Sequence, residues 1–138
     1  MTPTLPVAPP GARFNFAQHL IGRNLARPAK PAYIDDQGSL SYGDLAGHIR
    51  RLAAALLASG VRREERVLLL MHDCSDWPVS FLGAMYAGIV PVAVNTLLTP
   101  DDYAYMLQHS GRRRPSCPMP CCPRCRRPWP KVATRSRP

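Results

Sequence analysis

Apolar residues between Asn15 and Ser110 recur with two alternating periods. In "FAQHLIGRNLAR", Phe16, Leu20 and Ile21 share one helical face. The segment predicts a helix over 16–27, capped by Asn15 and stopped by Pro28. "AYIDDQGSLSY" predicts a small hairpin, with Tyr33 and Ile34 on its first strand, a turn at Asp36-Gln37-Gly38 and Leu40 on the return strand. Asp44 stands three residues after Ser41, a weaker capping box than one with Glu, because Asp reaches back less far. The next helix carries Leu45, Ile49, Leu52, Ala53 and Leu56 at helical spacing, keeps Arg50 and Arg51 off that face, and ends at Gly60. "RVLLLM" (66–71) is too short for a helix and predicts a strand buried on both faces. Ser75 or Asp76 caps a third helix, with Pro78 in its first turn and Gly88 at its end. "VPVAV" (90–94) predicts a second buried strand, whose Pro91 marks a start or an edge. Thr99, Pro100, Asp101 and Asp102 then open a last helix: a cap, a first-turn proline and two carboxylates favoured by the helix dipole.

Strand and helix alternate, which implies an α/β fold with a parallel sheet and right-handed crossovers. Two buried strands are too few for a sheet that needs cover on both faces. Residues 14–110 are therefore expected to be the first part of a larger α/β domain, with 1–13 as a flexible leader.

Composition divides the chain at the same point. The net charge is +9 over 138 residues, yet residues 1–110 hold nine basic and nine acidic side chains. All the excess lies in the last 28 residues, which have eight Arg, one Lys and no acid. A nucleic-acid argument from charge would thus concern residues 111–138 alone. Cys74 is the only cysteine of the body, which suggests a reducing, cytoplasmic setting. Prolines interrupt the leader where an export signal needs a continuous apolar core. The uncharged stretch 77–100 is long enough to span a bilayer, but Gly83, Gly88, Pro91 and Asn95 divide it into a helix and a strand. No membrane association is expected.

Several of these segments carry a resemblance. "YGDLAGHIRRLAAALLASGVRREERVLLLMHD" and "PVSFLGAMYAGIVPVAVNTLLTPDDYAYMLQHS" resemble the N-terminal part of the adenylate-forming acyl-CoA synthetases, the AMP-binding ligase superfamily. The general elements are 41–45, Gly60-Val61, 65–67 and 83–88. The stretch 95–107, with 14–17, is similar to the benzoate-CoA ligase group. The resemblance implies the incomplete N-terminal portion of the ligase large domain: a small hairpin, then parallel βαβα. It also implies a reaction in which ATP and an aromatic carboxylic acid give an acyl-adenylate and pyrophosphate, and coenzyme A then displaces AMP. Such chemistry needs a phosphate-cradling loop, Mg²⁺ and a cation at the attacked phosphorus. The family's loop ends in Lys. The only lysines here are Lys30 and Lys131, and neither follows a Gly-rich loop. No catalytic, cofactor-binding or metal residue carries over. The chain alone is expected to bind none of ATP, Mg²⁺ or coenzyme A and to be inactive.

Local candidates remain. His48 on a helix surface, His72 after a strand and His109 near a helix C-terminus read better as ordinary positions than as bases. Asp73 with Asp76 is too few ligands for a metal. Cys74 follows a strand end, where α/β sites gather, but an incidental thiol is the better reading.

Residues 111–138 admit three readings. Cys117, Cys121, Cys122 and Cys125 supply four thiolates, but within nine residues and between prolines, unlike the separated pairs of a zinc site. Arg112, Arg113, Arg114, Arg126, Arg127 and Trp129 could grip phosphate and stack a base, as an alternative small basic protein would. The favoured reading is a frame disruption just after Ser110 or Gly111. Reading from the third base of each codon, Met119-Pro120 and Trp129-Pro130 must encode Ala, and Cys121-Cys122 must encode Leu. One permitted hidden sequence, AAAVVSDALLPALQAALAE, is the strand and helix that the body is about to supply. The segment as translated is expected to be disordered. No nucleic-acid partner is expected, and exposed strand edges leave self-association open.

Overall fold

The computed structural model describes residues 10–110. Most of the leader and all of 111–138, with its cysteines and arginines, lie outside the described residues. The element order is α1 (Phe16–Arg23), β1 (Pro31–Asp35), β2 (Gly38–Ser41), α2 (Tyr42–Ala58), β3 (Arg66–Leu69), α3 (Asp76–Tyr86), β4 (Val90–Ala93) and α4 (Pro100–His109). β1 and β2 form an antiparallel hairpin with Asp35 opposite Gly38, so the loop is Asp36-Gln37. β3 and β4 pair in parallel with α3 as the crossover.

The predicted elements form in the predicted order, with differences of extent. α1 ends at Arg23 rather than Arg27. Asn24 is its C-cap, and its amide donates to Leu20 O at 2.8 Å while its carbonyl accepts from Arg27 Nε at 2.9 Å. This buried amide closes the helix one turn before Pro28 can. The face is also turned from the predicted one: Ala17 is fully buried, whereas Phe16 is 47% exposed. A small residue at 17 lets α1 lie close on its neighbours, and the Phe16 ring is left outside.

α2 and α3 end alike. In α2, Gly60 N–H donates to Leu57 O and Val61 N–H to Leu56 O. In α3, Gly88 donates to Met85 O and Ile89 to Ala84 O. Gly60 (φ 82°) and Gly88 (φ 75°) supply the left-handed residue that this double closure needs. The apolar residue after each glycine, Val61 and Ile89, folds back into one core cluster with Leu56, Val67, Leu69 and Ala84. A second cluster joins Ala17, Leu45, Ile49, Val79 and Leu82, and Leu52 of α2 packs against both.

One expectation is corrected. β3 was expected to be buried on both faces and β4 to be a second buried strand. Val67 and Leu69 are buried under the helices, but Leu68 is half-exposed, and in β4 Val90 is exposed and Val92 half-exposed. Leu68 pairs with Val92 and Arg66 with Val90. These residues share the second face, which no described element covers.

Candidate functional site

The hairpin turn and the loop into α3 enclose a cleft of about 370 Å³. It is lined by Asp35, Asp36 and the turn that follows on one side and by Asp73, Cys74, Ser75 and Asp76 on the other. A second depression of about 290 Å³ adjoins it, reaching Tyr33, Ile34, Trp77 and Pro78. The cleft lies beyond the C-terminal end of β3, where open α/β sheets place ligands.

Asp35 organises it. At the end of β1 its Oδ1 accepts from Gln37 N–H at 2.8 Å, fixing the turn. Its Oδ2 accepts from Ser75 N–H at 2.9 Å, across 40 residues of sequence. Ser75 is the N-cap of α3, yet its own side chain makes no capping bond. The carboxylate of Asp35 does this work from outside the helix, a charge-assisted bond at the positive helix end. Hydrogen bonds from the Ser75 backbone and side chain, then from Gln37, hold the Asp35 carboxyl below its ordinary value of 3.8. Asp76 is thus a first-turn residue rather than the cap. Sequence reasoning missed Asp35. Its one local signal was an Asp two residues before Gln37 in a tight turn.

The other candidates are placed as follows. Asp73, Cys74 and Asp76 do meet at the cleft, facing Asp35 and Asp36. Cys74 is half-buried. His48 is half-buried on α2, and His72 is exposed after β3. His109 is exposed at the end of α4, its ring 4.8 Å from that of Tyr105. No two of these three histidines are brought together. Among the described residues no group of three or more His, Cys, Asp or Glu side chains can hold a metal ion. Burial, and then the neighbouring Tyr42, push the Tyr33 phenol above its ordinary 10.0, so it stays neutral.

The lining decides what the cleft can take. It offers four carboxylates and no Arg or Lys, which opposes a polyphosphate. Such a lining does not fit the phosphates of ATP or of coenzyme A. No helix among the described residues is long and apolar enough to cross a membrane.

The parallel β3–α3–β4 unit, the hairpin before it and the strand-end cleft define a class. The profile of the AMP-binding enzyme family matches residues 23–114, and the chain belongs to that family. Within it, the chain is 48% identical over 104 residues to a benzoate–CoA ligase of Thauera aromatica, covering 73% of this chain and 20% of the relative. It is 45% identical over 102 residues to a 4-hydroxybenzoate–CoA/benzoate–CoA ligase of Rhodopseudomonas palustris, covering 72% and 19%. Among solved structures, a benzoate CoA ligase from Burkholderia xenovorans LB400 superposes with a TM-score of 0.71 at 57% identity, over 73% of this chain and 21% of that one. An anthranilate CoA ligase in complex with anthranoyl-AMP superposes with a TM-score of 0.65 at 34% identity, over 68% and 18%. The chain spans about a fifth of the length of the relatives it matches.

Proposed function

We propose that residues 14–110 correspond to the opening segment of an ATP-dependent aryl-CoA ligase. The reaction of that ligase joins an aromatic carboxylic acid to coenzyme A and releases AMP and pyrophosphate. The observation that carries this reading is the 48% identity to a benzoate–CoA ligase across 73% of the chain. The resemblance of Asn95 to Leu107 to the benzoate group, within the matched residues 23–114, supports the same reading.

The chain by itself is inactive on this reading, and its setting is the cytoplasm. Two features support inactivity. The sequence has no Gly-rich loop ending in Lys, and the cleft that forms is walled by carboxylates. The tail after Ser110 is a shifted reading frame of the same gene, supported by the Ala and Leu codons that Met119-Pro120, Trp129-Pro130 and Cys121-Cys122 must contain.

Two measurements test this. Purified full-length chain with benzoate, ATP and coenzyme A should yield neither AMP nor benzoyl-CoA, and turnover would overturn the inactivity. Sequencing the locus should find the family's phosphate loop encoded downstream in a second frame. Downstream codons that encode no such loop in any frame would sink the frame disruption.

A further inference from the structure

The face of β3–β4 opposite the helices is unfinished. It presents Leu68 and Val92 half-exposed and Val90 at 38% exposure, while α2 and α3 pack on the Val67 and Leu69 side. A parallel pair needs cover on both faces. Each strand also has an outer edge with no strand partner among the described residues. Beyond it, α4 buries no residue and leaves Tyr105 62% exposed.

Residues 111–138 are a poor match for this face. They hold seven prolines and eight arginines, and no run of alternating or continuous apolar residues. Proline cannot donate to a ladder, and a guanidinium on an apolar face is costly. A second copy would bring the same unfinished face and the same +9 charge. What fits is a body with a free parallel strand edge and an apolar helix face. This chain covers 21% of the solved benzoate CoA ligase, so about four-fifths of that polypeptide lies outside the match and is the body that would complete the unit.

We propose that the open face and edge of β3–β4 dock, in trans, the complementary four-fifths of an aryl-CoA ligase. This rests on the reading above that 14–110 is a ligase opening segment. The recognition is that of an intramolecular domain interior: apolar side chains of Leu68, Val90 and Val92 against an apolar helix face, with strand-edge hydrogen bonds fixing register.

The test co-expresses the full 138-residue chain with a tagged Burkholderia ligase that lacks its own counterpart of residues 14–110. The truncated ligase should become soluble only with the chain and should retain it in a one-to-one complex. Leu68→Asp should reduce retention at least ten-fold. Val90→Asp, at an already exposed position, should do the same while the chain keeps its circular dichroism spectrum. Leu57→Asp, on the exposed side of α2, should change nothing. A truncated ligase that stays insoluble with the chain present overturns the docking. Equal retention of the Leu68 and Val90 variants does so too, as does a chain that forms a homodimer through this face instead. Turnover by the chain alone would sink the reading of the previous subsection, whereas the retention assay reads docking separately.

Discussion

Asn15 serves two helix ends at once. Its carbonyl accepts from Gln18 N–H at 3.1 Å and caps α1, while its amide donates to Met85 O at 2.7 Å near the end of α3. One short side chain thus fixes the start of the first helix against the close of the third. Asn15→Ala should lower stability by about 1–2 kcal/mol, as a lost cap and a lost carbonyl partner together do. Asn15→Asp should keep the cap but lose the donor, and should melt between the two. Thermal unfolding of the three proteins checks the order. Gly83 is a second such position. A methyl there would stand 2.7 Å from Leu52 Cδ2 and 3.1 Å from Leu52 Cβ. The Cβ is fixed to the α2 backbone, so the helices would have to part. Gly83→Ala gains about 1 kcal/mol of helix propensity but meets an overpacking cost of about 1–3 kcal/mol. Net destabilisation is expected in the natural background. Combined with Leu52→Ala, which vacates the space, the same change should become neutral or stabilising. A double-mutant cycle from urea unfolding reads this coupling directly.

Elements were legible where local chemistry alone decides them. The left-handed glycines at 60 and 88 sit where a helix period breaks, so both helix ends could be read from the sequence. At Thr99 the structure goes further than the reading. Thr99 Oγ1 accepts from Asp102 N–H and the Asp102 carboxylate accepts from Thr99 N–H at 3.0 Å, a full reciprocal box. At Ser41, where a box was read, the hydroxyl accepts from Asp44 N–H at 3.2 Å and donates to Asp44 Oδ2 at 2.6 Å, while Ser41 stays paired with Pro31 in the hairpin. Position alone could not reveal this, because the strand holds Ser41. The cap of α3 was illegible for a related reason: its acceptor, Asp35, is 40 residues away. The cleft was half legible. Asp73, Cys74 and Asp76 adjoin in sequence, but their opposition to Asp35 and Asp36 is set by the fold.

The Asp35 tether has a pH signature. Its folded carboxyl titrates below the ordinary 3.8, so its contribution is present above that value and is lost as pH falls through the folded one. Asp35→Asn keeps an acceptor but no charge. The stability difference between the two proteins should be constant at neutral pH and shrink below about 3.8, with the natural chain losing the advantage. Urea midpoints over an acid series check this. A difference that holds unchanged to low pH would mean that the carboxylate does not cap α3.

At the scale of the molecule, two core clusters lie at opposite ends of α2, one under the hairpin and one under the β3–β4 pair. They are not independent. Leu52 packs against both, and α2 and α3 run side by side through each. Opening either cluster separates the same two helices at Gly83, where α3 packs directly on the Leu52 side chain. The described residues should therefore unfold as one unit even though one sheet face is uncovered. Leu45 and Leu69, among the most deeply buried side chains, sit in different clusters. Leu45→Ala and Leu69→Ala should each cost about 2–5 kcal/mol, the range for emptying a packed core position. More tellingly, each should lower the protection of both regions together. Hydrogen exchange at Leu69 amides in the Leu45 variant, and at hairpin amides in the Leu69 variant, reads this directly. If the hairpin end opens while the sheet end stays protected, then Leu52 does not couple the clusters. The helix pair would in that case be a hinge between two small bodies rather than the spine of one.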